Sequence, residues 1–317
     1  MSNPRQRLVA DVGGTNTRIA VYDPDTDAFL HRVNYQNRDF DTFSELLAHW
    51  QAGLDDKPSQ GCIAIAAPLA GDHIAMVNMS WAFSRRDISR QLRLDKLTWL
   101  NDFESNAHAL HSLQPSQLVS VHNSDSIMTG PLATVGPGTG LGGATVTELD
   151  GNYRVQASEP GQMGLSPVNE LELELFKVLL RQHDNIYAEL LLSGPGLVTG
   201  YQALCTIRGC EATMQSPDQI SAAALSGADD NCKAALGLFC DLLGSACGNF
   251  ILATGAYGGL YLAGGIVPKI LPLLRESDFC DRFQHKGAMK EQLGRVPIWM
   301  IDSGDTGLIG AAHAPLV

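Results

Sequence analysis

The stretch Asp11-Val12-Gly13-Gly14-Thr15-Asn16 sets a carboxylate, two glycines and two side-chain donors between apolar, β-rich runs. Glycine opens positive φ and lets backbone N–H groups approach an anion with no Cβ in the way. Thr15 and Asn16 add donors for phosphate oxygens, and Asp11 is placed to reach Mg²⁺ directly or through water. A Rossmann or Walker loop is followed by a helix whose N-terminus holds the phosphate. Here the alternating run Arg18–Asp23 follows, so those readings fail. Taken alone, the stretch reads first as a tight hairpin.

A second loop shifts the balance towards phosphate. Residues 135–144, VGPGTGLGGA, carry Gly136, Gly138, Gly140, Gly142 and Gly143. Ordering so many glycines forfeits backbone entropy, which binding would offset. Thr139 is the side-chain donor there. In GAYGGLYLAGGIVPKI a strand runs into Gly264-Gly265, and Pro268 suits a first helical turn. Backbone exposed by those glycines fits flat against an adenine or ribose, and equally fits close strand–helix packing.

Three further stretches carry carboxylates. WLNDF ends an apolar strand at Asn101-Asp102, where ligands gather in α/β sheets. Asp102 reads either as a helix cap or as a base that accepts the proton of an attacking hydroxyl. Glu159 and Gln162 lie in a loop closed by Pro160-Gly161, and Glu189 interrupts an apolar helical stretch. Carboxylates and an amide suit vicinal hydroxyls of a sugar, although both glutamates read equally as solvated surface acids. Asp305 reads as a turn or cap residue. His108 and His111 share a helical face without a metalloprotease arrangement, and no GxSxG elbow is present.

These groups need elements to hold them. Leu8–Val12 and Arg18–Asp23 read as strands, and residues 40–54 as a helix capped at Asp41 or Thr42. A buried strand at GCIAIAAPLAGD, a short helix at RDISRQLRL, the strand KLTWLND and the helix FESNAHALHSL follow. From about residue 113 the strand–glycine turn–strand layout returns at 132–150. Helices come next, including the long CKAALGLFCDLLGSACGNFILATG, then strand GGLYLAGG, helix VPKILPLLRES, strand VPIWMID and a small-residue terminal helix. The order implies a mixed α/β protein with crossover connections and an internal duplication.

The 317 residues, 44% hydrophobic and 18% charged, suffice for two folded units. A net charge of -12 argues against nucleic acid and anionic membrane partners. The N-terminus has no apolar signal core, and no stretch reads as a membrane span. Seven cysteines without a C-x-x-C pair read as reduced cytoplasmic thiols rather than zinc ligands.

The motifs DVGGTN, GCIAIAAPLAGD, NMSWAFS, LNDF, GPGTGLGGA, LLSGPGLV, LYLAGGIVPK and GLIGAAH occur in order along nearly the whole chain. In them the chain resembles bacterial ATP-dependent glucokinases of the non-ROK, hexokinase type. The ROK cysteine-rich zinc motif is absent. The resemblance implies a two-lobed actin-like, hexokinase (ribonuclease H-like) α/β fold with duplicated mixed-sheet domains. The expected divisions are 1–112 with 302–317 and 113–301, with glucose and MgATP in the cleft. It implies Asp102 as general base, with Asn78, Asn101, Glu159, Gln162 and Glu189 on the sugar. Asp11, Gly13, Gly14, Thr15 and Asn16, with Gly136, Gly138, Thr139 and Gly140, would hold the phosphates and Mg²⁺. Gly264 and Gly265 would face the nucleoside. A cytoplasmic homodimer is the implied assembly. The family's sugar loop usually reads Glu-Gly-Gly-His; here it is Glu159-Pro160-Gly161-Gln162, which keeps a kinase for another hexose or amino sugar, or a poorly catalytic sugar sensor, as alternatives.

Overall fold

The computed structural model describes residues 5–76, 79–124 and 128–316. The elements run β1 (Arg7–Val12), β2 (Asn16–Asp23), β3 (Ala28–Gln36), α1 (Phe43–Ala52), β4 (Gln60–Ile65), β5 (His73–Ala75), β6 (Ala82–Ser84), α2 (Arg85–Leu92), β7 (Lys96–Asn101) and α3 (Asp102–Ala109). There follow β8 (Leu118–His122), β9 (Leu132–Pro137), β10 (Leu141–Leu149), β11 (Asn152–Ser158), α4 (Glu170–Leu179), α5 (Ala188–Leu191), α6 (Gly194–Arg208), α7 (Pro217–Ser226) and α8 (Asp230–Thr254). The chain ends with β12 (Gly259–Leu262), α9 (Val267–Glu276), α10 (Phe279–Gln284), α11 (Lys290–Leu293), β13 (Ile298–Ile301) and α12 (Thr306–His313). They divide into two compact units, Met1–Gln114 with Ser303–Val317, and Pro115–Asp302.

The first unit is built on a five-stranded sheet in the order β3-β2-β1-β4-β7. β1 and β2, and β2 and β3, pair antiparallel, while β4 runs parallel to β1 and β7 parallel to β4. β1 shows why both faces must be covered. Leu8, Ala10 and Val12 point into one cluster with Ile19, Phe43, Leu47 and Ile63, and Val9 points into another with Cys62, Leu100 and Leu308. The first cluster is roofed by α1, whose cap is Thr42, accepting the Glu45 N–H at 3.1 Å. The second is roofed by α12, the last helix of the chain.

The second unit repeats this plan. Its sheet runs β11-β10-β9-β12-β13-β8: two antiparallel hairpins, then parallel β12 and β13, with β8 added antiparallel at the edge. The duplication is carried by strand order and direction. At the centre of this unit's core runs α8, with Leu236, Phe239, Leu243, Cys247, Phe250 and Ile251 all buried. Contrary to the sequence reading, α8 is long and apolar enough to cross a membrane by length and composition. Its apolar residues face this core instead, because α6, α7 and α10 pack along it.

Five strands escape the sequence reading: β5 and β6, which pair only with each other, and β3, β11 and β8, which are three of the four edges of the two large sheets. An edge strand with much of its surface in water needs no alternation of apolar and polar residues, and β3 and β11 are mostly exposed or half-buried along their length.

Candidate functional site

In the first unit, sheet register brings the sequence-predicted residues to one edge. Val12 pairs with Ile65 on β4, and Ile65 pairs with Asn101 on β7. The turn at Gly13 and the Asn101-Asp102 corner therefore leave the C-terminal ends of parallel strands at the same end of the sheet, with β4 between them, the position where α/β sheets bind ligands. The turn itself is closed by the Gly13 N–H donating to the Asn16 carbonyl at 2.9 Å. Gly14 and Thr15 are exposed, and Gly13 and Asn16 half-buried.

A residue passed over in the sequence holds this turn. Asn37 is buried; its Nδ2 donates to the Gly13 carbonyl and its Oδ1 accepts from Thr17 Oγ1, both at 2.8 Å. Its own N–H donates to the Thr15 carbonyl at 2.9 Å. One buried amide thus meets three groups of the hairpin. The only trace in the sequence is an asparagine in a polar run, a pattern shared with any loop.

Asp11 is half-buried on β1. Its Oδ2 accepts from Arg18 Nη1 at 3.2 Å. Burial pushes its carboxyl above the ordinary range, the Arg18 guanidinium pulls it back down, and the Asp305 carboxylate adds to the rise. Asp305 pairs with Arg32 at 2.5 Å and makes no side-chain cap on α12. Gly307 lies flat on Asp11: a Cβ there would stand 2.6 Å from Asp11 Cγ. Only a glycine in the first turn of α12 leaves room for the carboxylate.

Asn101, not Asp102, is the cap of α3. Its Oδ1 accepts the Glu104 N–H at 2.7 Å, and Glu104 Oε2 accepts the Asn101 N–H at 3.3 Å, a reciprocal capping box. Asp102 is the first helical residue, with Oδ1 accepting the Phe103 N–H at 3.1 Å. The cap reading of Asp102 is thereby corrected by one position. His108 is buried on α3, whereas His111 lies beyond the helix end, so the shared helical face does not exist. Asn78 lies outside the described residues.

In the second unit, β9 and β12 run parallel, Val135 pairing with Leu262, so the 138–140 turn and Gly264-Gly265 leave the same edge. Here positive φ is not what most of these glycines supply. Of the glycines assigned to phosphate or nucleoside in either unit, only Gly264 has positive φ, 85°. Gly136 and Gly140 are required by close approach, whereas a Cβ at Gly138 or Gly265 would meet nothing within 4 Å. A Cβ at Gly136 would stand 2.5 Å from the Ala263 carbonyl oxygen, and one at Gly140 would strike the Glu189 carboxylate. Thr139, between them, is exposed. Gly138 is bound from both sides: its N–H donates to the Gly140 carbonyl at 2.7 Å, and its carbonyl accepts the Gly194 N–H at 2.8 Å.

Glu189, on the single turn α5, reaches this turn. Its Oε2 accepts the Leu141 N–H at 2.8 Å, and Gln162 Nε2 donates to its Oε1 at 3.4 Å. Gln162 and Glu189, distant in sequence, are thus brought together with the glycine turn. Pro160 and Gly161 begin a 3₁₀ turn seated on β10, with Gly161 against the Leu141 carbonyl and Pro160 against Gly143. Proline fits here because it opens the turn, where no helical N–H partner is needed. Glu159 precedes the turn and is exposed.

The family model Glucokinase matches residues 8–316. Curated relatives include the glucokinases of Saccharophagus degradans, 38% identical over 96% of both chains, and Colwellia psychrerythraea, 38% identical over 96% of this chain and 94% of that one. Among solved structures, a glucokinase from an Antarctic psychrotroph is 33% identical, with a TM-score of 0.87 over 98% of both chains. A ROK family glucokinase from Streptomyces griseus in complex with glucose and AMPPNP, 17% identical with a TM-score of 0.64 over 97% of this chain and 98% of that one, shares the fold. With a duplicated α/β plan of the sugar-kinase kind and relatives matched from end to end, the chain belongs to the glucokinase family.

Proposed function

We propose that the chain phosphorylates glucose with ATP through Asp102 as general base, and that each unit supplies a distinct part of the machinery. Membership of the glucokinase family carries the reaction itself; the roles of the residues rest on their placement. The observation that supports Asp102 most is the register Val12–Ile65–Asn101, which sets the glycine hairpin and Asp102 at one sheet edge.

In this reading Asp102 accepts the proton of the sugar 6-hydroxyl as the γ-phosphoryl group moves to it. A loose transition state releases that proton late, so a carboxylate suffices as the base. Asn101, whose Oδ1 is committed to the cap, has its Nδ2 to donate to a hydroxyl. Asn78 is a further sugar contact by resemblance alone. Glu159, Gln162 and Glu189 bind sugar hydroxyls, with Gln162 and Glu189 already hydrogen-bonded to each other. The turns Gly13–Asn16 and Gly136–Gly140 receive the phosphates, with Thr15, Asn16 and Thr139 as side-chain donors. Gly264 and Gly265 lie against the nucleoside.

Among the described residues no three His, Cys, Asp or Glu cluster as a metal cage. Mg²⁺ carried by the nucleotide fits this donor set, with Asp11 the carboxylate that would hold it, directly or through water. Bound there, it supplies charge that offsets the phosphates. A homodimer in the cytoplasm is part of the same proposal. It is supported by the exposed Val168, Leu171, Leu173 and Leu180 in and beside α4, and by seven free cysteines.

The test is steady-state phosphorylation of a panel of hexoses with MgATP. Glucose is expected to turn over fastest, and Asp102→Asn to lower kcat by about 10²–10⁴ while glucose still binds. A parent enzyme inert towards glucose overturns the function. Near-parental turnover in the variant removes Asp102 from the role.

A further inference from the structure

The far end of α6 sets two thiols together, away from every group assigned above. Gly209 follows the helix with φ 66°. Its N–H donates to the Thr206 carbonyl at 3.3 Å, and the Cys210 N–H donates to the Cys205 carbonyl at 3.0 Å. This pair of bonds is the Schellman ending, in which the side chains at the two ends of the longer bond come into contact. That contact is ordinarily apolar; here both partners are cysteine. Cys210 Sγ donates to the Cys205 carbonyl at 3.6 Å, which holds its sulfur over the end of the helix that carries Cys205. Cys205 is buried and Cys210 exposed, with Asn231 Nδ2 donating to Cys210 Sγ at 3.4 Å.

We infer that Cys205 and Cys210 form a reversible disulfide when the protein meets a hydroperoxide, with Cys210 attacked first and Cys205 resolving. The Cys210 thiolate attacks one peroxide oxygen and the O–O bond breaks; with hydrogen peroxide this leaves a sulfenic acid and one water. The Cys205 sulfur then attacks the Cys210 sulfur and the S–O bond breaks. The departing hydroxide takes the Cys205 proton as a second water. Two thiols lose two electrons and two protons in all, and one peroxide becomes two waters.

The geometry orders the steps. Only Cys210 is open to solvent. Burial holds the Cys205 thiol above its usual range, so it is a poor first nucleophile but a well-placed second one. A disulfide needs Cα atoms about 4.4–6.8 Å apart, and the Cys210–Cys205 backbone bond already draws these two residues together. The bridge therefore closes over ordered backbone without unwinding α6. About 17 Å of helix, at 1.5 Å per residue, separates Cys205 from Gly194 and the glycine turn it touches. Turnover therefore survives oxidation.

The experiment treats the full-length protein with hydrogen peroxide, blocks the remaining thiols, and maps peptides. Cys232, buried and next to Asn231, is the competing thiol; trypsin cuts after Arg208 and cleavage after Glu211 frees Cys210 from Cys232, so the three pairings among Cys205, Cys210 and Cys232 are distinguishable. The expected result is five titratable thiols out of seven, a Cys205–Cys210 link reversed by dithiothreitol, and retained glucose phosphorylation. C210S, changed at an exposed position, is expected to fold and to form no link. A Cys210–Cys232 link, a sulfinic Cys210 beside a free Cys205, or seven surviving thiols each overturn the proposal.

Discussion

Glu104 tests the link between a helix cap and catalysis. It never needs to touch substrate, yet its Oε2 accepts the N–H of Asn101, the residue that caps α3. Replacing it with alanine strands that half-buried N–H and leaves the 2.7 Å bond from the Glu104 N–H to Asn101 Oδ1 in place. One lost hydrogen bond of this kind costs about 1 kcal/mol. Glutamine keeps an acceptor and removes a charge that burial disfavours, since burial pushes the Glu104 carboxyl above its ordinary 4.5. Glu104→Gln should therefore stay within about 0.5 kcal/mol of the parent at neutral pH. The sign follows from that shift. A carboxyl raised in the folded state stabilises most when protonated, so the parent loses ground to Glu104→Gln as pH rises past 4.5. Urea unfolding followed by a first-unit tryptophan reads the stability. If the cap also aims Asp102, kcat of Glu104→Ala falls about fivefold, the factor equivalent to 1 kcal/mol, with KM for ATP unchanged. Parental stability and turnover in Glu104→Ala, or equal damage from glutamine and alanine, would refute the reasoning.

Gly310→Ala drives a Cβ onto the Ser105 carbonyl where α12 crosses α3, and should destabilise by about 1–3 kcal/mol or more in urea unfolding. Breaking the buried Arg282–Glu172 pair, 2.5 Å apart, with Arg282→Met leaves a carboxylate without its partner; about 3–5 kcal/mol should be lost, read by the same method. His108 is held at about 4 by burial and by the neighbouring His313. The unfolded chain then takes up the proton first, so stability should fall as pH drops from 6.5 towards 4, and His108→Leu should flatten the profile. Gln162→Ala removes a donor from Glu189 and should raise the glucose KM roughly two- to tenfold; an unchanged KM takes Gln162 off the sugar.

What could be read from the sequence follows physical lines. β1, β4, β9 and β12 announce themselves because central strands of a covered sheet are apolar throughout; β7, an edge strand, is legible from its apolar run alone. The Gly/Thr turns were visible because glycine clusters are rare between such strands. Their cause was not. Gly140 and Gly136 are small because Glu189 and Ala263 lie against them, a contact between segments far apart in sequence. Asn37 was missed for the same reason: nothing local marks an amide that will be buried against a hairpin. Asn101 and Asp102 were legible as a pair, but which one caps α3 depends on Glu104 reaching back.

The placement of α12 has a consequence for synthesis on the ribosome. Leu308, Ala311 and Ala312 cover Val9, Ala20, Cys62 and Leu100, residues made far apart in time during translation. At about 5–20 residues per second, the wait between them is on the order of tens of seconds. Most of the second unit leaves the ribosome during that wait, while one side of the first sheet stays bare. Nascent chains stalled just before residue 306 should be the species most prone to aggregate and the best clients for a chaperone.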